Sequence, residues 1–159
     1  MASTDRSGGI SMSLRIMVVD DSQATRRVVS ALVGSRWTVC GSAENGKSAV
    51  KKFVELRPDL VLLDLGMPDI DGIEVGRQIH AIDASTPMIL FTLSDPWGLE
   101  GPARKAGFTH VISKSEPWKL LDTIKEIVAE IESSHDKAEG ASRKRENKND
   151  RPRRDHSIH

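Results

Sequence analysis

Tyrosine is absent from this chain, cysteine occurs once, and three Trp and three Phe make up the whole aromatic complement. The single Cys40 excludes an intramolecular disulfide and a cysteine-built metal cage. It suits a reducing compartment and reads best as a small buried apolar residue. Neither sign of charge is in excess: 23 Lys and Arg face 23 Asp and Glu. No global field therefore draws the molecule to nucleic acid or to an acidic membrane, and any such attraction has to be local. No apolar run approaches the ~18 residues of a membrane span. The segment Met1 to Met12 is rich in Ser and Gly and lacks the apolar core of a signal peptide, so the expected location is cytoplasmic.

What remains is one domain's worth of chain, 159 residues of which 38% are hydrophobic. Residues 1–13 read as a disordered leader, 14–132 as the folded domain and 133–159 as a disordered charged tail with no output domain. Short apolar runs at Ile16–Val19, Trp37–Cys40, Leu60–Leu63, Met88–Phe91 and Val111–Ile112 alternate with segments of helical period. The runs lack polar alternation, as strands covered on both faces should. Ala24, Val28, Ala31 and Leu32 are expected on one helical face, and Val50, Phe53 and Val54 on the next. Ile79 and Ile82 continue the pattern after Val75. Leu120, Ile124, Ile127, Val128 and Ile131 form a last stripe after Pro117. A fourth helix over roughly Pro96–Ala106 is weakened by Gly98, Gly101 and Pro102. Five such βα units imply a doubly wound α/β fold, a parallel sheet with helices on both faces and ligands at the C-terminal ends of the strands.

Acidic residues close two of the strongest runs. Asp20 and Asp21 follow Ile16–Val19, and Asp64 follows Leu60–Leu63. Any one of these would serve equally as a helix cap or a turn residue. Three on neighbouring strands would converge, and each like-charged pair at ~4 Å costs about 4 kcal/mol at a surface-like dielectric. Such a cluster needs a cation or a proton, and hard oxygens at an open rim favour Mg²⁺. Thr92 and Lys114 end two further strands. A hydroxyl and an ammonium there, opposite the acids, make a site for a phosphoryl group.

These residues, in this order and spacing, resemble the response regulator receiver domain, the phospho-accepting half of two-component signalling, over about Leu14–Glu132. The most specific segment is Asp64-Leu65-Gly66-Met67-Pro68-Asp69-Ile70-Asp71-Gly72, similar to the family's phosphorylation loop. The resemblance implies a flavodoxin-like strand order 2-1-3-4-5. It implies Asp64 as phospho-acceptor, Asp20, Asp21, Asp64 and the Gly66 carbonyl as Mg²⁺ ligands, and Thr92 and Lys114 as contacts of the phosphoryl group. The expected partners are a sensor histidine kinase or histidine phosphotransfer protein and a downstream protein target at the face of helix 4, strand 5 and helix 5. The chain would thus be a stand-alone receiver signalling by docking or phosphorelay, assisting its own modification without being an enzyme on a free substrate. A degenerate receiver acting as a phosphorylation-independent adaptor is the alternative.

Two positions depart from the family pattern. Val111 stands where most receivers carry the Tyr or Phe that partners the Thr in switching, and Ser115 stands where many have Pro. Either the broken fourth helix and Trp97 carry the change, or Val111 simply pairs in its strand and output is read elsewhere. The segment His135–His159 has eight Lys or Arg against five Asp or Glu, with clusters at Arg143-Lys144-Arg145 and Arg151-Pro152-Arg153-Arg154. A solvated end explains it, and a weak contact with nucleic acid, membrane or an acidic partner is the other reading.

Overall fold

A computed structural model of the chain describes residues 13–146. The strands are β1 (Arg15–Val19), β2 (Thr38–Ala43), β3 (Leu60–Leu63), β4 (Met88–Thr92) and β5 (His110–Ser113). The helices are α1 (Gln23–Gly34), α2 (Gly46–Leu56), α3 (Gly72–Ile82), α4 (Glu100–Lys105) and α5 (Pro117–Glu146), with a 3₁₀ turn at Pro96–Gly98 before α4. All strand pairs are parallel, in the order β2-β1-β3-β4-β5, the flavodoxin-like topology expected from the sequence. The central strands β1, β3 and β4 are almost wholly buried, which is why they read as unbroken apolar runs. β2 lies at an edge and is half-buried, so it runs on through Gly41 and Ser42 to Ala43 without an apolar signature. A register shift between Ile16 and Met17 leaves Cys40 out of the pairing, its thiol donating to the Ile16 carbonyl at 3.4 Å.

Several helical faces turn otherwise than the sequence suggests. In α1 the buried residues are Val29 and Val33, while Ala24, Val28 and Ala31 face solvent. Val28 and Val29 are adjacent and lie about 100° apart on a helix, so either could have led the stripe. In α2 Gly46, Ala49 and Phe53 are buried and Val54 is exposed; in α3 Val75 and Ile79 are buried and Ile82 is exposed. Pro102 is accommodated because it occupies the first turn of α4, where its missing N–H has no intrahelical partner to lose.

The contacts divide the chain inside its last helix, into units 1–123 and 124–159. The described part of the second unit is the helix from Ile124 to Glu146, in which Ile124 and Ile127 are buried and residues 132–141 are exposed. The expectation of a disordered tail from residue 133 is therefore corrected over 133–146. Lys137, Ala138, Glu139 and Ala141 are good helix formers, and extending an existing helix avoids the nucleation cost that would bar such a polar segment from forming one alone. The cluster at residues 151–154 and most of the leader lie outside the described residues.

Candidate functional site

Parallel register brings the chemistry to one rim. Val19 pairs with Leu63, and the Asp64 amide donates to the Val19 carbonyl at 2.9 Å, so Asp20 and Asp64 leave adjacent strands at the same level. On the other side Thr92 pairs with Ser113, and the Lys114 amide donates to the Thr92 carbonyl at 2.8 Å. One carboxylate oxygen from each of Asp20, Asp21 and Asp64 lies within 4.8 Å of the others. Asp20 and Asp64 are buried, 3% and 8% exposed, whereas Asp21 faces solvent.

The Lys114 ammonium, itself largely covered, reaches back over the rim to Asp20 Oδ2 at 2.5 Å and Asp64 Oδ1 at 3.1 Å. Burial pushes the Asp64 carboxyl above its ordinary range; Lys114 opposes this and the charge of Asp20 adds to it. Three carboxylates with one paired ammonium leave two formal negative charges at the mouth of the site. That charge and its hard oxygen donors fit a divalent cation of the Mg²⁺ type, which is bound through a few carboxylates and retains waters.

Local capping holds the acids in place. The Asp20 Oδ1 accepts from the Ser22 amide at 2.9 Å, and Ser22 in turn caps α1, its hydroxyl accepting from the Thr25 amide at 3.2 Å. From the first turns of α1, Arg26 donates to the carbonyls of Asp20 at 2.7 Å and Asp21 at 3.2 Å. Sequence reasoning missed Arg26; its place five residues after Asp21, one to two turns along the helix that the acid pair opens, was the available signal.

The loop after Asp64 returns on itself, the Gly72 amide donating to the Leu65 carbonyl at 2.9 Å. A Cβ on Gly72 would sit 2.2 Å from the Asp64 carbonyl oxygen, so only glycine lets α3 begin this close to Asp64. Gly66 is exposed beside the site, where an added Cβ would meet Asp64 Oδ2 at 3.9 Å. The Thr92 hydroxyl is buried and accepts from the Ser94 amide at 3.2 Å. The structure thus gathers Asp20, Asp21, Asp64 and Lys114 directly, and places Gly66 and Thr92 on the adjoining loop and strand end.

A fold and rim of this kind define a phospho-accepting signalling module, and comparison with known proteins gives the family. Residues 16–125 match the family model of the response regulator receiver domain, and the chain belongs to that family. It is 38% identical over 102 residues to the chemotaxis protein CheY of Listeria monocytogenes, covering 64% of this chain and 86% of that one. It is 44% identical over 81 residues to a protein-glutamate methylesterase/protein-glutamine glutaminase of a Nocardioides species. That match covers half of this chain but only 22% of the methylesterase. Among solved structures, a LuxR-family two-component response regulator from an Aurantimonas species is similar with a TM-score of 0.71 at 30% identity, covering 74% of this chain and 86% of that one. Receiver domains are signalling modules rather than enzymes on free substrates, and they bind Mg²⁺ at an acidic pocket such as the one formed here by Asp20, Asp21 and Asp64.

Proposed function

We propose that this chain accepts a phosphoryl group on Asp64 from the phosphohistidine of a sensor kinase or phosphotransfer protein, and that the modified form signals through protein docking or onward phosphorelay. The observation that carries this reading is the Lys114 ammonium bridging Asp20 and Asp64 with Asp21 alongside. A carboxylate oxygen of Asp64 forms the new P–O bond as the P–N bond of the donor breaks, and the imidazole departs with the electron pair. Lys114 lies within reach of an oxygen of the transferring group and offsets its charge. The Thr92 hydroxyl, which accepts from Ser94, keeps its proton to donate to another phosphoryl oxygen. Asp20, Asp21, Asp64 and the Gly66 carbonyl would hold Mg²⁺, which supplies Lewis-acid stabilisation of charge on the phosphoryl oxygens. A cytoplasmic location goes with this reading, supported by the class of phosphodonor it invokes and by the free Cys40, which suits a reducing compartment.

The docking face is assigned to α4, β5 and the first turns of α5. Leu93, Trp97 and Trp118, all in the segments that border it, are 79%, 87% and 61% exposed, unusual for side chains of this size and the sort of surface a partner covers. The adaptor reading draws on Val111, a half-buried valine packed against the core where an aromatic switch would stand.

Intact-protein mass after incubation with acetyl phosphate and Mg²⁺ tests the proposal. One phosphoryl adduct that requires Mg²⁺ and is lost in Asp64→Ala is expected. A folded native chain that takes no adduct from any donor would move the adaptor reading ahead.

A further inference from the structure

Outside the acid cluster, Asp69 makes a contact that the chemistry described so far does not use. It lies at the tip of the loop that runs from the acceptor to α3, and its carboxylate crosses to the first turn of α2. There Oδ1 accepts from the Gly46 amide at 2.8 Å and Oδ2 from the Lys47 amide at 3.0 Å. The start of a helix presents backbone N–H groups with no intrahelical partner. Asn45, the local cap, accepts from only one of these, the Ser48 amide at 2.9 Å. A residue 23 and 22 positions further along the chain therefore takes the two N–H groups that the local cap leaves. The pair of donors holds the Asp69 carboxyl below its usual range.

The fit between loop and helix is close. A Cβ on Gly46 would stand 2.8 Å from Val75 Cγ2 and 3.0 Å from Ile70 Cβ, so glycine at this position is what lets the loop seat on α2. Leu65, Met67 and Ile70 pack from the same loop against the core. Gly66, Pro68 and Asp69 itself are the exposed residues between these anchors. Its base is closed by Gly72 and Leu65 and its exit by Asp71, which accepts from the Ile73 amide at 2.6 Å. Asp69 supplies the one polar tie of the loop's tip to a different element among the hydrogen bonds of the described residues.

We propose that Asp69 is a positioning residue of the phosphorylation site: by latching the 65–71 loop to the first turn of α2, its carboxylate fixes the Gly66 carbonyl and so sets the affinity for Mg²⁺. This rests on the reading of function above, in which that carbonyl is a metal ligand. Asp69 lies outside the acid cluster that would hold the metal, its carboxylate being engaged by the Gly46 and Lys47 amides. It acts through the backbone three residues away, as outer partners of metal ligands commonly do.

Mg²⁺ titrated into ¹⁵N-labelled native and Asp69→Ala chains, followed at the Leu65 and Gly66 amides, tests the latch. Hydrogen exchange at Gly46 and Lys47 reports whether the tie is broken. The alanine chain is expected to lose protection at both amides and to bind Mg²⁺ roughly tenfold more weakly, with Asp69→Asn, which keeps one oxygen acceptor, between the two. Loss of protection with Mg²⁺ affinity within about twofold of native would overturn the proposal, since outer partners that orient ligands cost more than that. Should the alanine chain not fold, Asp69→Asn carries the same test at the same twofold boundary. The titration needs no phosphodonor. A native chain that binds Mg²⁺ yet takes no phosphoryl group sinks the proposed function and leaves the latch to be judged on metal binding; a native chain that binds no Mg²⁺ sinks the latch as well.

Discussion

The ends of β1 and β3 and those of β4 and β5 contribute to one rim, yet their backbones are secured very differently. After β1, Ser22 caps α1, Arg26 ties down both acid carbonyls, and Asp20 binds the Ser22 amide. After β3, the loop is closed at its base, capped at its exit and tied at its tip. After β4 the chain passes through exposed Leu93 and a single 3₁₀ turn, on which Asp95 caps the Trp97 amide at 3.1 Å, into a six-residue helix whose N-cap, Leu99, offers no side-chain bond. A short helix without a cap has little to hold it locally, and such segments open at the lowest free energy. The side that must hold charge in place is fixed, and the side with the loosest local bonding carries the two most exposed large apolar side chains, Leu93 and Trp97. Placement of this kind suits a module whose chemistry is constant and whose surface has to change.

Lys114 is where the two sides meet, so its removal should have the largest effect. Lys114→Met leaves Asp20 and Asp64 as covered neighbouring acids without their cation. In Mg²⁺-free buffer this is expected to cost about 3 kcal/mol of stability, because breaking a buried pair strands the remaining charge. Added Mg²⁺ should recover part of the loss, since it binds the folded acids and not the unfolded chain. The adduct-forming rate should fall by roughly 100-fold with the loss of a charge aimed at the transferring group. Urea titrations with and without Mg²⁺, beside timed mass spectra, check both. Unchanged stability in Mg²⁺-free buffer would mean that the two sides are not bound through this lysine.

How much of this was legible in the sequence follows the same division. β1, β3 and β4 are covered on both faces, so their apolar runs show directly, and the pattern of acids closing the runs of β1 and β3 points to one shared rim. Lys114 and Thr92 were equally readable as strand-end residues, but the reach of Lys114 back to Asp20, 94 residues away, depends on the stacking of four strands and is not written locally. The same holds for Asp69, whose partners lie in a helix that precedes it. In the helices the errors came where apolar residues sit side by side, as at Val28 and Val29, because periodicity then fixes the helix and not its rotation. The end of α5 was missed for a different reason: polarity argued for a tail, whereas propensity and an existing helix argued for continuation.

Phe108 offers a second way to test the division. It is an aromatic near the switch position that the sequence leaves out of register, and its buried ring lies against Gly76 of α3. A Cβ at residue 76 would stand 2.2 Å from Phe108 Cε2 and 2.6 Å from Cζ. Gly76→Ala is therefore expected to cost about 2 kcal/mol through overpacking. A smaller side chain in the double variant with Phe108→Leu should return about 1 kcal/mol as coupling between contacting residues. Equilibrium denaturation of the two single variants and the double variant gives the cycle. Additive costs would show that α3 and the segment before β5 are independent, and the fixed side would then stop at α3.

The smallest effect is expected where the surface is most exposed. Trp97 projects from the 3₁₀ turn and Trp118 from the first turn of α5. If both are held for a partner and not for the fold, Trp97→Ala and Trp118→Ala should each change stability by less than about 0.5 kcal/mol, the range of surface substitutions away from special features. Their rates of adduct formation should stay near native, because neither side chain belongs to the acid cluster or its lysine. Thermal unfolding and the same mass assay measure both quantities. A loss above about 1 kcal/mol in Trp97→Ala would mean that the indole packs to hold the turn in place. The segment after β4 would then be as firmly secured as the loop after β3, and the capacity of this face to change would have to lie in β5 or the start of α5 instead.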